Sequence, residues 1–298
     1  MWVISGLLSA FFLGMYDVSR KIALKDNAVI TVLFLASATG ALIFAPVVVL
    51  SYFNIIDPGS IIYIPVIDVK THIMFFLKSL IVGGSWFFAY NAISMLPLTI
   101  VTPIRSTGPV WTLMGALLIY SEKFTLYQWL GIIIVLLFFY IFSLAGRKEG
   151  INFVKNKGIL YIVIATVLGS VSSLYDKFLI GNYNKMAVQA WFSMYMVVVF
   201  VPMLLFLWYP KRKKLQPFKW NFYIHLIGIV LVITDFFYFL AISQEGSLIA
   251  VISVLRRSSV VIAFSFGAVF MKEANIKHKS FALFGILTGV ILLILGSV

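Results

Sequence analysis

Thr-Pro-Ile-Arg-Ser-Thr-Gly-Pro, at Thr102–Pro109, has a weaker echo in Val-Ile-Ser-Val-Leu-Arg-Arg-Ser-Ser, at Val251–Ser259. These two stretches decide how the chain is read. Each sets arginine inside a long apolar segment, Arg105 in the first and Arg256 and Arg257 in the second. An arginine at the centre of a membrane helix costs roughly 2.5–3.5 kcal/mol on insertion scales, and three facing lipid would cost on the order of 8–10 kcal/mol. They must therefore face a polar cavity or carboxylate partners. Three arginines around one cavity point to an anion.

The surrounding sequence is of the same kind. Of its 298 residues 62% are hydrophobic and 11% are charged, a composition for a polytopic helical membrane protein. The formal net charge of +13 sits mostly in short loops between apolar runs, the distribution found at membrane surfaces rather than in nucleic-acid binders. The absence of cysteine excludes disulfides, thiolate chemistry and Cys-ligated metal. His72, His225 and His278 lie near span ends without a second ligand at helical spacing, so no metal site is expected. The first apolar run starts almost at Met1 with no basic leader or cleavage site, and reads as a retained helix.

Runs of about 20 apolar residues are membrane spans. Ten are predicted, at roughly 3–24, 29–53, 72–95, 98–121, 125–145, 157–180, 187–209, 220–243, 247–271 and 279–297. Residues 1–145 and 157–298 form two halves, joined by a polar connection at 146–156. The halves read as a repeat. Tyr16-Asp17 matches Tyr175-Asp176, and Ala92-Ile93-Ser94 matches Ala241-Ile242-Ser243. Arg105 aligns with Arg256, and Glu122 with Glu273, at one constant offset. Five helices are an odd number, so the second copy inserts upside down, an architecture of secondary transporters.

On these residues the chain resembles the drug/metabolite transporter superfamily, specifically its EamA-like members of two five-helix repeats. Glu122, Glu273 and the proline-rich junction at Pro97, Pro103 and Pro109 carry the resemblance over the whole length. The second half departs from it, with Gly246 and Ile252 or Val254 where the first has Pro97 and Pro103. The resemblance implies an all-α membrane fold and a transport function. Phosphate translocators of the superfamily have a basic residue in helix four and a Lys-Arg pair in helix nine that grip a substrate phosphate. Arg105 and Arg256-Arg257 stand at those positions, so the resemblance implies a phosphorylated substrate.

From depth along the spans, the expected substrate-binding set is Arg105, Arg256 and Arg257, with hydroxyls near them from Ser106, Thr107, Ser258 and Ser259 and candidate walls from Trp86, Tyr90, Tyr238 and Trp111. Arginine presents a planar fork suited to phosphate and carboxylate oxygens. The bland alternative is three arginines in internal salt bridges. Asp17 with Arg105, and Asp176 with Arg256 and Arg257, are candidate gates in which an anion competes with a carboxylate. Against this, Asp17 can pair with Arg20 or Lys21 on its own helix. Lys78 and Asp235 can pair with each other, and Asp235 is a candidate proton carrier. Gly285-x-x-x-Gly289 is a helix-packing signal, within the chain or between subunits.

The expected protein is a secondary transporter of a small organic anion in the cytoplasmic membrane, a monomer or homodimer, using a coupling proton or counter-substrate. It is not expected to be an enzyme, since no nucleophile–base set or phosphate-cradling loop stands out, and no cofactor is implied. Two readings compete: an exporter of amino acids or other metabolites with structural arginines, and a membrane protein handling an anionic lipid headgroup. Lysine and arginine concentrate in the odd-numbered loops, which the positive-inside rule puts in the cytoplasm.

Overall fold

The computed structural model describes residues 1–96, 104–105, 107–144, 156–212, 217–262, 265 and 276–297, with backbone alone at residues 90, 93, 94, 142–144 and 276–279. Pro97, Pro103, Ser106, Glu273 and the side chains of Tyr90 and His278 lie outside the described residues.

Ten α-helices are present among the described residues. The first half has α1 (Trp2–Ala23), α2 (Val29–Tyr52), α3 (Val69–Met95), α4 (Gly108–Tyr120) and α5 (Leu126–Leu144). The second has α6 (Lys157–Asn182), α7 (Lys185–Met203), α8 (Phe222–Ile242), α9 (Ile249–Leu255) and α10 (Ile276–Leu295). Six spans among the described residues are long and apolar enough to cross a bilayer. Polar caps start the helices where the chain leaves the apolar zone. Asp68 accepts from Thr71 N (3.1 Å), Asn156 from Gly158 N (2.8 Å), and Asn184 from Met186 N (2.8 Å). Each fills a backbone donor that the first helical turn leaves open.

Hydrogen bonds between the connections fix which ends share a face. Asn27, after α1, donates to Lys219 O before α8 (2.6 Å) and accepts from Lys219 N (2.8 Å). At the other face Gln244, after α8, donates to Ser5 Oγ at the start of α1 (3.2 Å). There too Thr125, before α5, donates to Gly296 O after α10 (3.3 Å). Successive helices therefore alternate in direction. The face carrying Asn27 and Lys219 is the lysine-rich one.

Helix contacts between the halves come in exchanged pairs. The first helix of one half packs on the third of the other, α1 on α8 and α3 on α6. Second meets third in both directions, α2 on α8 and α3 on α7, and first meets fourth, α1 on α9 and α4 on α6. Like meets like in α2 on α7, α4 on α9 and α5 on α10. A two-fold axis between the halves generates this pattern. Glycines allow the closest approach: a Cβ on Gly131 of α5 would meet Gly289 O of α10 at 2.8 Å, and one on Gly289 would meet Gly131 O at 3.0 Å. Gly285 faces Phe138 of α5. The Gly285–Gly289 signal is thus spent inside the chain.

Two expected spans differ from the structure. In the ninth, α9 ends at Leu255, a 3-10 turn occupies Arg256–Ser258, and helix resumes over residues 259–262. In the fourth, α4 begins only at Gly108, and Arg105 precedes it. Both arginine sites therefore stand at breaks or ends of helices, where backbone groups are freed and irregular geometry is tolerated only beside a cavity.

Candidate functional site

Between the halves lies a cavity of about 500 Å³, within the ordinary range for a small-molecule site. Helices from both halves line it. Tyr16, Asp17 and Arg20 come from α1, Lys78, Ser85 and Trp86 from α3, and Asp176, Ser172 and Ser173 from α6. Asp235 and Tyr238 come from α8, Ser253 from α9, and Arg256, Arg257 and Ser259 from the turn that follows it. Arg105 completes the wall. Five basic and three acidic side chains thus face one space, a surplus of two positive charges.

The ion pairs differ from those expected. Lys78 pairs with Asp176, not Asp235, because α3 packs directly on α6. Both side chains are buried, and the ammonium also lies over the rings of Phe192 (4.4 Å) and Phe239 (4.9 Å). Asp235 instead faces Arg256 Nη2 at 3.9 Å, so the cation of Asp176 is Lys78 and the arginine pair is left to other partners. Asp17 takes the local alternative, an ion pair with Arg20 of its own helix at 2.9 Å.

Arg20, Lys78 and Arg256 each stand in one of these pairs. Among the described residues no carboxylate lies within ion-pair distance of Arg257. Its Nε is buried without a hydrogen-bond partner, as are Arg256 Nε and the Tyr238 hydroxyl. An unsatisfied buried donor costs about 1–3 kcal/mol. These three atoms are closed off from the cavity itself, and what Arg256 and Arg257 offer it is the exposed remainder of their half-buried side chains. Arg256 is also held over the Tyr238 ring at 4.2 Å, a cation–π contact that fixes its plane. A Cβ on Gly14 of α1 would meet Ser259 O at 2.8 Å, so a glycine is what lets α1 seat against the arginine turn.

Of the expected hydroxyls, Ser259 lines the cavity, while Thr107 and Ser258 do not. Thr107 Oγ1 donates to Ile104 O (2.7 Å) and Ser258 Oγ to Leu255 O (2.7 Å), each spent on its own turn. Neither lines the cavity, whereas Ser253 and Ser259 do. Trp86 lines the cavity, and Trp111 is exposed on the outer surface and donates to Thr107 Oγ1 (3.3 Å). His72 contacts Tyr195 (2.8 Å) and His225 contacts Thr39 (2.9 Å), both away from the cavity. Among the described residues there is no cluster of three potential metal ligands.

An all-helical membrane bundle with a charged cavity between two exchange-related halves defines a multi-pass transporter fold. The chain belongs to the EamA-like transporter family, whose profile matches residues 1–144 and 156–295. It is similar to an uncharacterized transporter of Archaeoglobus fulgidus, 24% identical over 302 residues, covering 98% of this chain and 98% of that protein. A solved crystal structure shares the fold with a TM-score of 0.70 at 15% identity, over 99% of this chain and 96% of that one.

Proposed function

We propose that this protein is a secondary transporter that moves a small organic anion across the cytoplasmic membrane by alternating access, with a phosphorylated metabolite as the substrate class. One observation carries the reading. The side chains lining the cavity include more cations than carboxylates, and among the described residues no carboxylate lies within ion-pair distance of Arg257. A phosphate group offers several acceptor oxygens and up to two negative charges, matching the surplus charge of the lining and the planar guanidinium fork of arginine. Arg105, Arg256 and Arg257 hold the anionic group, and Ser253 and Ser259 supply hydroxyls. Asp235 releases Arg256 when the anion arrives, which links substrate charge to the pairing of a membrane carboxylate. The lysine-rich face is cytoplasmic.

The Asp235–Arg256 pair also favours a second reading, export of an amino acid or other zwitterion. There the carboxylate of the substrate takes Arg257 and its ammonium takes Asp235.

Proteoliposomes separate the two. Purified protein preloaded with an unlabelled phosphate ester should accumulate the labelled ester by exchange, and Arg257→Ala should abolish it. Exchange of amino acids with no exchange of phosphate esters or inorganic phosphate would overturn the first reading in favour of the second.

A further inference from the structure

The helix that presents the arginines has an unusual start. All seven residues of α9 are buried, and its N-cap position is Leu248, whose side chain has nothing to give the first backbone donors. Those donors are satisfied from the other half of the chain. Glu122, in the connection after α4, accepts from Ile249 N (2.8 Å) through Oε1 and from Ala250 N (3.3 Å) through Oε2. A carboxylate is the favoured group at a helix N-terminus. Lys177 of α6 donates to the same Oε1 at 2.5 Å and to Ser247 O at 3.2 Å, and its ammonium lies over the Tyr120 ring at 5.1 Å. Glu122 is buried, and neither it nor Lys177 lines the cavity.

This cluster ties the α4–α5 connection of the first half to α6 and the α8–α9 connection of the second. It sits on the face opposite the lysine-rich loops, beside the Gln244–Ser5 and Thr125–Gly296 contacts. From Ile249 to Arg256 is seven residues, about 10 Å along the helix. With α9 buried along its whole length, wherever Glu122 holds its first turn is where the arginine turn must stand.

We propose that Glu122 is a latch: its carboxylate clamps α9 across the two halves, closes the cavity to this face, and thereby sets the depth of Arg256 and Arg257. It is a positioning residue, acting through α9 rather than on the substrate. The arginine-depth part rests on the anion reading above, and the closure part does not. Glutamine in its place retains one acceptor oxygen, loses the charge, and turns an NH2 toward either a backbone N–H or the Lys177 ammonium.

The chain's lack of cysteine makes the test direct. Ser253→Cys puts one reporter thiol on the cavity wall, and a membrane-impermeant maleimide is applied to vesicles of either sidedness. Ser253→Cys alone should label from the lysine-rich face. Adding Glu122→Gln should raise labelling from the opposite face roughly ten- to a hundred-fold, the span for losing a hydrogen bond to a charged group. If Glu122→Gln does not yield folded protein, Lys177→Gln, which leaves the cap and removes its cation, should give a smaller rise. Labelling from the opposite face that stays at the Ser253→Cys level in a folded variant overturns the latch. Inorganic phosphate supplies the second arm, since it should protect the thiol and Arg257→Ala should remove that protection. Side-switched labelling without phosphate protection leaves the latch standing and sinks the anion reading. Phosphate protection without side-switching does the reverse.

Discussion

Asp17 and Asp176 stand at matching places in the two halves, each following a tyrosine, yet their surroundings are opposite. Asp176 is buried, paired across the halves with Lys78, and near the face that Glu122 closes. Asp17 pairs with a neighbour on its own helix, and both partners keep about a third of their side-chain surface exposed, 32% each. One end of the cavity is therefore tied between the halves by a buried pair, and the other is held within one helix by a partly exposed one. A molecule with internal two-fold symmetry can be shut at one end and open at the other only if equivalent residues are bonded differently. In this structure the two equivalent aspartates are bonded in such an asymmetric way.

The sharpest way to break the comparison is to neutralise each aspartate in turn. Asp176→Asn leaves Lys78 buried without its counter-charge, and removing one partner of a buried pair costs about 3–5 kcal/mol. Unfolding temperature in detergent should fall steeply and be largely restored in the double variant Asp176→Asn, Lys78→Met. Asp17→Asn removes a half-exposed pair worth roughly 0–1 kcal/mol, and its unfolding temperature should move little. Equal losses from the two would show that burial does not distinguish them.

Gly14→Ala comes next. The added methyl meets a backbone oxygen of Ser259 that cannot swing aside, and overpacking of this kind costs about 1–3 kcal/mol. Because the displaced group is the arginine turn, anion affinity should fall with stability. Gly181→Ala, where the added carbon meets nothing within 4 Å, is the control that should leave both unchanged.

The smallest effect concerns Asp68, outside the membrane. Hydrogen bonds from the Thr71 hydroxyl and backbone N–H hold its carboxyl below the usual carboxylate range. A lowered folded-state pKa contributes stability that is present above the ordinary value and lost as pH falls through the lowered one. Asp68→Ala should therefore lower the unfolding temperature slightly at neutral pH, and the difference from the parent should close in acid. A difference that persists unchanged in acid would show that the cap's charge contributes nothing.

The fold was legible in the sequence because a span needs length and apolar content, and both are read directly. That Arg105, Arg256 and Arg257 border one cavity was legible because arginines inside apolar spans need polar surroundings. The pairing of Lys78 with Asp176 was not. Pairing depends on which side of a helix a residue faces, and in a membrane the lipid side and the packed side are both apolar. Leu118 is exposed and Ala116 fully buried on one helix with no polar residue between them to mark the change. Ser259 was legible by its nearness to the arginine pair, whereas Ser253, three residues before Arg256 in an apolar run, carried no signal in the sequence. Glu122 stood out as a family mark, but its role as the cap of a helix 127 residues away could be seen only in three dimensions. The one available hint was negative: Leu248 is a poor residue with which to start a helix.

The most direct test of the central claim is thermal unfolding of the purified protein with phosphate esters, carboxylates, amino acids and organic cations. A ligand that binds only the folded state adds about 2.7 kcal/mol at 100 times its dissociation constant. The account predicts a rise in unfolding temperature with phosphate esters that disappears in Arg257→Ala. Stabilisation by cations or zwitterions alone, unchanged in that variant, would contradict it and leave the arginines as structural groups.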